Sequence, residues 1–364
     1  MPMMVELGER RYPIHIEPGG LGGLGAAVVD ALGPTPRAIV VSNPVVAPLY
    51  GAAVVASLQS VGIESVCLEV PDGEHHKTLA TWQQLTDALL SQGIDRKTPI
   101  VALGGGVTGD IAGFAAATVM RGVPWVQVPT TLLAMVDSSV GGKTGVNTAS
   151  GKNLIGAFHQ PSLVFAAMDT LQSLPSEEIR CGLGEVVKHA VLADNALMRR
   201  CAQDAGLILQ RDGEVLADLV ARSCAVKARI VAQDEREAGL RAVLNLGHTA
   251  GHALETVLAG GPQALPHGVC VAIGLVAEAR WAARRGDCAK DVPQRIAEVL
   301  DGMGLPTHAP PVDLDELVAA ARFDKKVHRG RLQTAIIEAV GRVRLAEVDV
   351  AEIPHLFHSI SGHQ

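Results

Sequence analysis

Four short runs of β-branched and small apolar residues, spaced by stretches with helical periodicity, constrain the fold of this chain most. Residues 37–42 (Arg-Ala-Ile-Val-Val-Ser), 65–70, 99–103 and 123–128 have the length and composition of buried strands. Among them, residues 45–62 and 78–93 place apolar side chains three and four positions apart, the spacing of one helical face. Strands alternating with helices predict a mostly parallel sheet covered on both sides, an α/β fold. From about residue 174 the texture changes to long Ala/Leu/Val stretches bounded by Gly and Pro, with few strand-like runs. Leu174-Pro-Ser-Glu-Glu reads as a helix start with Ser176 as its cap. The expectation is an α/β domain over residues 1–174, a mainly α-helical domain over 175–364, and a site in the cleft between them.

Composition agrees with two domains, since at 364 residues each half is long enough to bury its own core. Apolar residues make up 48% of the chain and aromatics only 3%, so the cores must be Ala, Val, Leu and Ile. With 39 glycines, such cores suit close packing of helix on helix and helix on sheet. The formal charge of −7 argues against a nucleic-acid surface. Six cysteines (67, 181, 201, 224, 270 and 288) are scattered without a Cys-x-x-Cys pair, the pattern of reduced thiols. The N-terminal segment has no charged-then-apolar signal layout, and apolar stretches such as 111–120 are too short to span a bilayer. A soluble cytoplasmic protein with no nucleic-acid or membrane partner is expected.

The run from Val101 to Asp110, Val-Ala-Leu-Gly-Gly-Gly-Val-Thr-Gly-Asp, is a strand entering a glycine turn and then a helix. Glycines let backbone amides approach a pyrophosphate, and a helix N-terminus supplies partial positive charge. The layout is not the usual Gly-x-Gly-x-x-Gly. Residues 72–77, Asp-Gly-Glu-His-His-Lys, form a second loop after a strand end, with Glu74 suited to ribose hydroxyls. Two such loops on one sheet edge point to a dinucleotide. Ser138-Ser-Val-Gly-Gly-Lys-Thr144 is tempting as an ATP phosphate loop, but the glycine spacing fails and Asp137 stands before it. Asp137, Lys143, Lys152 and Asn153, followed by Lys188, Lys227 and Arg241, remain as a charged set embedded among Gly and Ala. In an acidic protein that set points to a highly anionic small substrate.

Residues 242–252 place Asn245, His248 and His252 on successive turns of one apparent helix. His267 follows in Leu-Pro-His-Gly, and upstream Glu185 and Lys188 share a helical face. One carboxylate plus imidazoles from separate segments is the ligand set of a catalytic zinc, which keeps an open position.

Taken together, the motifs resemble the 3-dehydroquinate synthase family over nearly the whole chain. The resemblance rests on Gly104-Gly-Gly-Val-Thr-Gly-Asp110, Arg121-Gly122, the block from Pro129 to Asn147, Gly151-Lys-Asn153, Gly184-Glu-Val-Val-Lys188, the stretch from Asp234 to Arg241, Asn245-Leu-Gly-His-Thr-Ala-Gly-His252 and Asp324-Lys-Lys326. It implies a Rossmann-like NAD-binding domain and a helical metal- and substrate-binding domain. The implied activity is that of a phosphate-eliminating lyase of the shikimate pathway, which turns 3-deoxy-D-arabino-heptulosonate 7-phosphate into 3-dehydroquinate and phosphate. NAD+ would be used catalytically, through transient oxidation, β-elimination, re-reduction and aldol closure. The implied metal ligands are Glu185, His248 and His267, holding zinc or cobalt, and His252 passes to the substrate.

By the same resemblance, Lys188, Asp137 and Glu237 surround the reacting hydroxyls, and Lys227 and Arg241 hold the substrate carboxylate. Lys143, Asn153, Asn245, His252 and a lysine of the Lys325–Lys326 pair lie on the phosphate side. Arg121 reaches in from a neighbouring subunit, implying a homodimer. Cofactor contacts fall on Asn43, Asp72, Gly73, Glu74, Lys77, Gly105, Gly106, Val107, Gly109, Asp110, Thr130, Thr131, Lys143, Lys152, Thr170, Leu171 and Ser173. Val119, Met168-Asp169 and Val269-Cys270 depart from the family pattern, and a local packing difference is expected near His267. The rival readings are another sugar-phosphate cyclase, a metal-dependent polyol dehydrogenase, or an inactive NAD-binding regulator.

Overall fold

The computed structural model describes residues 2–322, 327–328 and 330–360; Lys325 and Lys326 lie outside the described residues. In chain order the first elements are β1 (Met3–Val5), β2 (Tyr12–Glu17), α1 (Leu24–Leu32), β3 (Arg37–Ser42), α2 (Ala52–Gln59), β4 (Glu64–Glu69), α3 (Leu79–Ser91), β5 (Ile100–Gly104), α4 (Gly106–Thr118), β6 (Trp125–Pro129), β7 (Lys143–Thr148), β8 (Gly151–Phe158) and β9 (Leu163–Ala167). They are followed by α5 (Ser176–Ala193), α6 (Asn195–Gln203), α7 (Ala205–Leu209), α8 (Gly213–Gln233), α9 (His248–Leu258), α10 (His267–Arg285), α11 (Val292–Gly302), α12 (Leu314–Arg322), β10 (Val327–His328), β11 (Arg331–Ala339), β12 (Arg342–Asp349) and α13 (Ile353–Phe357).

The four strands expected from the sequence are β3 to β6, each within two residues of its expected ends. They sit in a seven-stranded sheet of order β1-β2-β9-β6-β5-β3-β4, parallel except for the edge strand β1. Side chains alternate across the pleat. Ala38, Val40, Val101, Leu103, Val126 and Val128 join one core with α1 and α2; Ile39, Val41, Ile100, Ala102 and Trp125 join a second with α3 and α4. Two buried faces are what near-continuous apolar strands require. The helix expected over 45–62 is α2 preceded by a π turn, Ala47–Gly51, containing Pro48, which has no N–H to donate.

The chain forms two compact units: Met1–Leu174 with Leu216–Glu235, and Pro175–Val215 with Arg236–Gln364. A single division at residue 174 therefore omits an excursion in which most of α8 returns to the first unit. Its physical basis is the bond from Cys224 Sγ to the Met135 carbonyl (3.2 Å) and the ion pair of Lys227 with Asp137, together with burial of Leu219 and Val220. Ser176 is not the cap expected of it: Pro175 holds that place, Ser176 is the first residue of α5, and its hydroxyl accepts from Arg211.

In the second unit the helices cross at glycines. A side chain on Gly184 of α5 would overlap the Gly268 backbone at the start of α10, and one on Gly274 of α10 would overlap Gly247 beside α9. This unit also contains the antiparallel sheet β10-β11-β12, whose strands the sequence reading passed over. Among the described residues no helix is long and apolar enough to cross a membrane.

Candidate functional site

In the first unit the chain adds β4 on one side of β3 and then β5 on the other, so the strand order reverses between β3 and β5. Crevices at such reversals, outside the carboxyl ends of strands, are where α/β sheets take ligands. Asn43 follows β3, residues 72–77 follow β4, Gly105 to Asp110 follow β5, Thr130 and Thr131 follow β6, and Thr170 to Ser173 follow β9. Apart from Lys143 and Lys152, which lie in the separate two-stranded sheet of β7 and β8, the expected cofactor positions thus lie on this one edge. The buried Asn43 donates to Asp72 Oδ1 (3.0 Å) and Thr108 Oγ1 (3.3 Å), joining three of these loops.

Lys77 is buried, and its ammonium binds Asp110 Oδ2 at 2.5 Å and Asn153 Oδ1 at 2.6 Å. Burial raises the Asp110 carboxyl above its ordinary value, with the Lys77 charge opposing. Asn153, expected on the substrate phosphate, here contacts a cofactor-loop lysine. Two organising residues escaped the sequence reading. Asn147 Nδ2 donates to Glu74 Oε1 (2.7 Å), its Oδ1 accepts from the Asn153 amide (2.9 Å), and its own amide donates to the Lys77 carbonyl (2.8 Å). The Tyr50 hydroxyl lies 3.1 Å from the Thr170 carbonyl and 2.6 Å from Ser173 Oγ. Asn147 stood inside a recognised motif, but no spacing rule reveals its partners.

Asp137 lies in a π turn, Ala134–Ser138, and a glycine loop leads from it to Lys143, the first residue of β7. Gly141 and Gly142 have left-handed φ values of 103° and 64°, and the Gly141 amide donates to the buried Tyr12 hydroxyl (3.1 Å). Lys143 is exposed and opens a strand rather than a helix, so this is not an ATP phosphate loop. Lys227 Nζ contacts both the Asp137 carbonyl (2.6 Å) and its carboxylate (2.5 Å). Helix α4 ends at Thr118, and Met120 and Arg121 follow with left-handed φ of 52° and 65°, leaving Arg121 exposed. Lys152 is exposed on β8.

The second unit gathers Glu185, Lys188, His248, His252 and His267. One turn of α5 brings the buried Lys188 ammonium onto the wholly buried Glu185 carboxylate. Glu185 Oε1 faces His248 Nε2 at 3.6 Å and His267 Nε2 at 3.5 Å. These separations exceed a normal hydrogen bond, which runs to about 3.2 Å. They match the spacing of about 3.4 Å between ligands that each lie about 2.1 Å from a tetrahedral zinc. The other ring nitrogens are both held: His248 Nδ1 lies 3.0 Å from the Leu246 carbonyl, and His267 Nδ1 lies 3.0 Å from Glu255 Oε2. Carbonyl and carboxylate oxygens only accept, so each Nδ1 carries a proton and each ring, once free of a proton at Nε2, can turn a lone pair toward a cation beside Glu185. The donor set therefore fits a divalent cation.

Burial keeps His248 well below its ordinary value, helped by the Lys188 charge, while Glu185 opposes. Burial also works against the charge on Glu185, but Lys188 and the imidazoles hold its carboxyl well below the usual range. On His267 burial is outweighed by Glu185 and Glu255, which push it up to about 10. A bound cation must displace that proton.

His252 belongs to the same imidazole cluster, its ring centroid 4.9 Å from that of His248 and 5.7 Å from that of His267. Asn245, however, is not on their helix. It ends a 3-10 turn, Leu240–Asn245, and Gly247, at φ 77°, breaks the chain before α9 begins at His248. Glu278, buried in α10, accepts from the Gly247 amide at 2.7 Å and so secures this break. Arg241 is buried and Glu237 exposed. Glu255 was also missed, although it falls three residues after His252 and seven after His248, on the same helical face. Val119, Met168, Val269 and Cys270, which depart from the family pattern, are all buried core positions.

Residues 67–181 match the family model described as 3-dehydroquinate synthase N-terminal, and residues 182–327 match that described as 3-dehydroquinate synthase C-terminal. The chain belongs to the 3-dehydroquinate synthase family. It is 47% identical to a 3-dehydroquinate synthase of Pelobacter propionicus over 93% of this chain and 94% of the relative. It is 48% identical to one of Symbiobacterium thermophilum over 95% of each. Among solved structures, a 2-deoxy-scyllo-inosose synthase complexed with carbaglucose-6-phosphate, NAD+ and Co2+ superposes with a TM-score of 0.88 at 25% identity, covering 98% of this chain and 99% of that one. A 2-epi-5-epi-valiolone synthase from Streptomyces hygroscopicus subsp. jinggangensis 5008, with NAD+ and Zn2+ bound, gives 0.85 at 28% identity over 96% of each chain.

Proposed function

We propose that this chain converts 3-deoxy-D-arabino-heptulosonate 7-phosphate to 3-dehydroquinate and phosphate, as a cytoplasmic homodimer using NAD+ and zinc or cobalt. The observation that carries the reading is the buried Glu185 carboxylate facing the Nε2 atoms of two imidazoles, in a chain of this family. When bound, NAD+ accepts and returns a hydride, and the metal polarises the hydroxyl being oxidised. Glu185, His248 and His267 would hold the metal. The crevice between β3 and β5, with Asp72, Glu74, Gly105 to Asp110, Thr130, Thr131, Lys152 and Thr170 to Ser173, would hold the cofactor.

The remaining roles belong to side chains of this protein. Lys188, held against Glu185, can give a proton as its ammonium to an oxygen beside the metal ligands and take one back as its amine. Asp137 and Glu237 flank the reacting hydroxyls. Arg241 and Lys227 hold the carboxylate, and Lys143, Asn153, Asn245, His252 and one of Lys325 and Lys326 hold the phosphate. Arg121 completes a site of the partner subunit. An apolar groove of about 430 Å³ is lined by Leu79, Trp82, Leu90, Phe114, Ile155 and Met120, the residue before Arg121.

A steady-state assay tests the reading. Purified protein loaded with NAD+ and zinc should release one phosphate per substrate without net NADH. Accumulating NADH would make it a dehydrogenase, and turnover of a sugar phosphate lacking the carboxylate in preference to the heptulosonate would make it another cyclase.

A further inference from the structure

We infer that Glu255 is a positioning residue for the metal: it orients His267 and strengthens it as a ligand. The inference rests on the proposed metal set of Glu185, His248 and His267. The two imidazoles are supported differently. His248 leans on the Leu246 carbonyl, a neutral dipole two residues away on its own chain segment. His267 leans on a carboxylate that comes from another helix, Glu255 of α9, at 3.0 Å. Metal-bound histidines gain basicity and a fixed tautomer from such carboxylates, and losing one costs about 10–100-fold in affinity or activity.

The arrangement has a further consequence. Helix α9 carries His248 as a ligand and, two turns on, the carboxylate that holds the ligand at the start of α10. His267 is the first residue of α10, where a chain end has no turn of helix before it to fix the ring. Glu255 supplies that restraint and also places negative charge at a helix N-terminus, which the helix dipole favours. Its side chain is 23% exposed, so its removal leaves no large core cavity.

The experiment measures zinc and cobalt dissociation constants by chelator competition, and metal release rates, for the wild type, Glu255→Ala, Glu255→Gln and His267→Ala. The melting temperature of each protein stripped of metal is followed alongside. Glu255→Ala should bind metal about 10–100-fold more weakly and release it faster, with its metal-free melting temperature little changed. Glu255→Gln keeps an acceptor for the ring N–H but loses the charge, so it should recover part of that loss. An affinity for Glu255→Ala within twofold of wild type overturns the inference and leaves the proposed metal site standing. Loss in both Glu255 variants as complete as in His267→Ala overturns it too, since Glu255 would then be a ligand. A wild type that takes up no stoichiometric metal overturns both the inference and the reading beneath it.

Discussion

Replacing Gly184 by alanine sets two effects of opposite sign against each other. Gly184 lies in the middle of α5, where alanine is favoured over glycine by about 1 kcal/mol on helix propensity. Yet a Cβ there would overlap the Gly268 carbonyl oxygen, and would lie 2.8 Å from its carbonyl carbon and 3.2 Å from its Cα. Carbon atoms rest about 3.5–4.0 Å apart, so α5 and α10 must separate by about 1 Å. The obstacle is backbone, and no rotamer change relieves it. Overpacking of this kind costs typically about 1–3 kcal/mol, and its upper end leaves a net loss near 2 kcal/mol after the propensity gain.

The same shift acts on the metal site, because Gly184 precedes Glu185 and Gly268 follows His267. Ligand distances tolerate about 0.2 Å, so a displacement of about 1 Å should cost the site its affinity as well. Thermal unfolding of metal-stripped protein should show the melting temperature falling by about 4–8 °C, at about 2–4 °C per kcal/mol for a unit of this size. Chelator competition should show zinc binding weakened at least tenfold. Gly302→Ala is the control: nothing lies within 4 Å of its Cβ, and it should not destabilise. A Gly184→Ala protein that melts no lower than wild type and binds zinc as tightly would refute the argument that this glycine contact builds the site.

Other outcomes follow from the same geometry. Glu185→Gln and His248→Ala should lose both metal and turnover while remaining folded, whereas His252→Ala should keep the metal and lose substrate handling; metal analysis with circular dichroism separates them. Arg121→Ala and Lys188→Ala should each be inactive, yet verified mixed dimers of the two should regain part of the activity, and none regained would remove Arg121 from the partner's site. Burial pushes Cys181, Cys201 and Cys224 up to about 12, so at pH 8 their thiolate fraction is about a thousandfold below that of an ordinary thiol. Iodoacetamide with mass spectrometry should therefore label the exposed Cys67 and spare these three. Because their thiols are held neutral only in the folded protein, stability should decline as pH rises from about 9 towards 12, which alkaline urea titrations will register.

Much of this protein is written locally. Strands β3 to β6, the glycine turn before α4 and the Glu185–Lys188 pair all depend on residues within a few positions of one another, and their periodicity can be read directly. The family motifs likewise marked the loops that gather at the carboxyl edge of the sheet. Asn245 shows where local reading fails: one left-handed residue, Gly247, removes it from the helix of His248, and only the backbone angle records that. The alternation of charged and apolar residues in β12 was a legible strand signal that the helical texture around it concealed. Other relations join positions far apart in sequence, as when α8 returns to the first unit through Lys227 and Cys224, or Asn147 holds Glu74 and Asn153 together. The glycine crossings that bring Glu185 to His267 are of the same kind. A spacing rule carries no information about which distant backbone will meet a given glycine, so the helices had to be packed before the site could be seen.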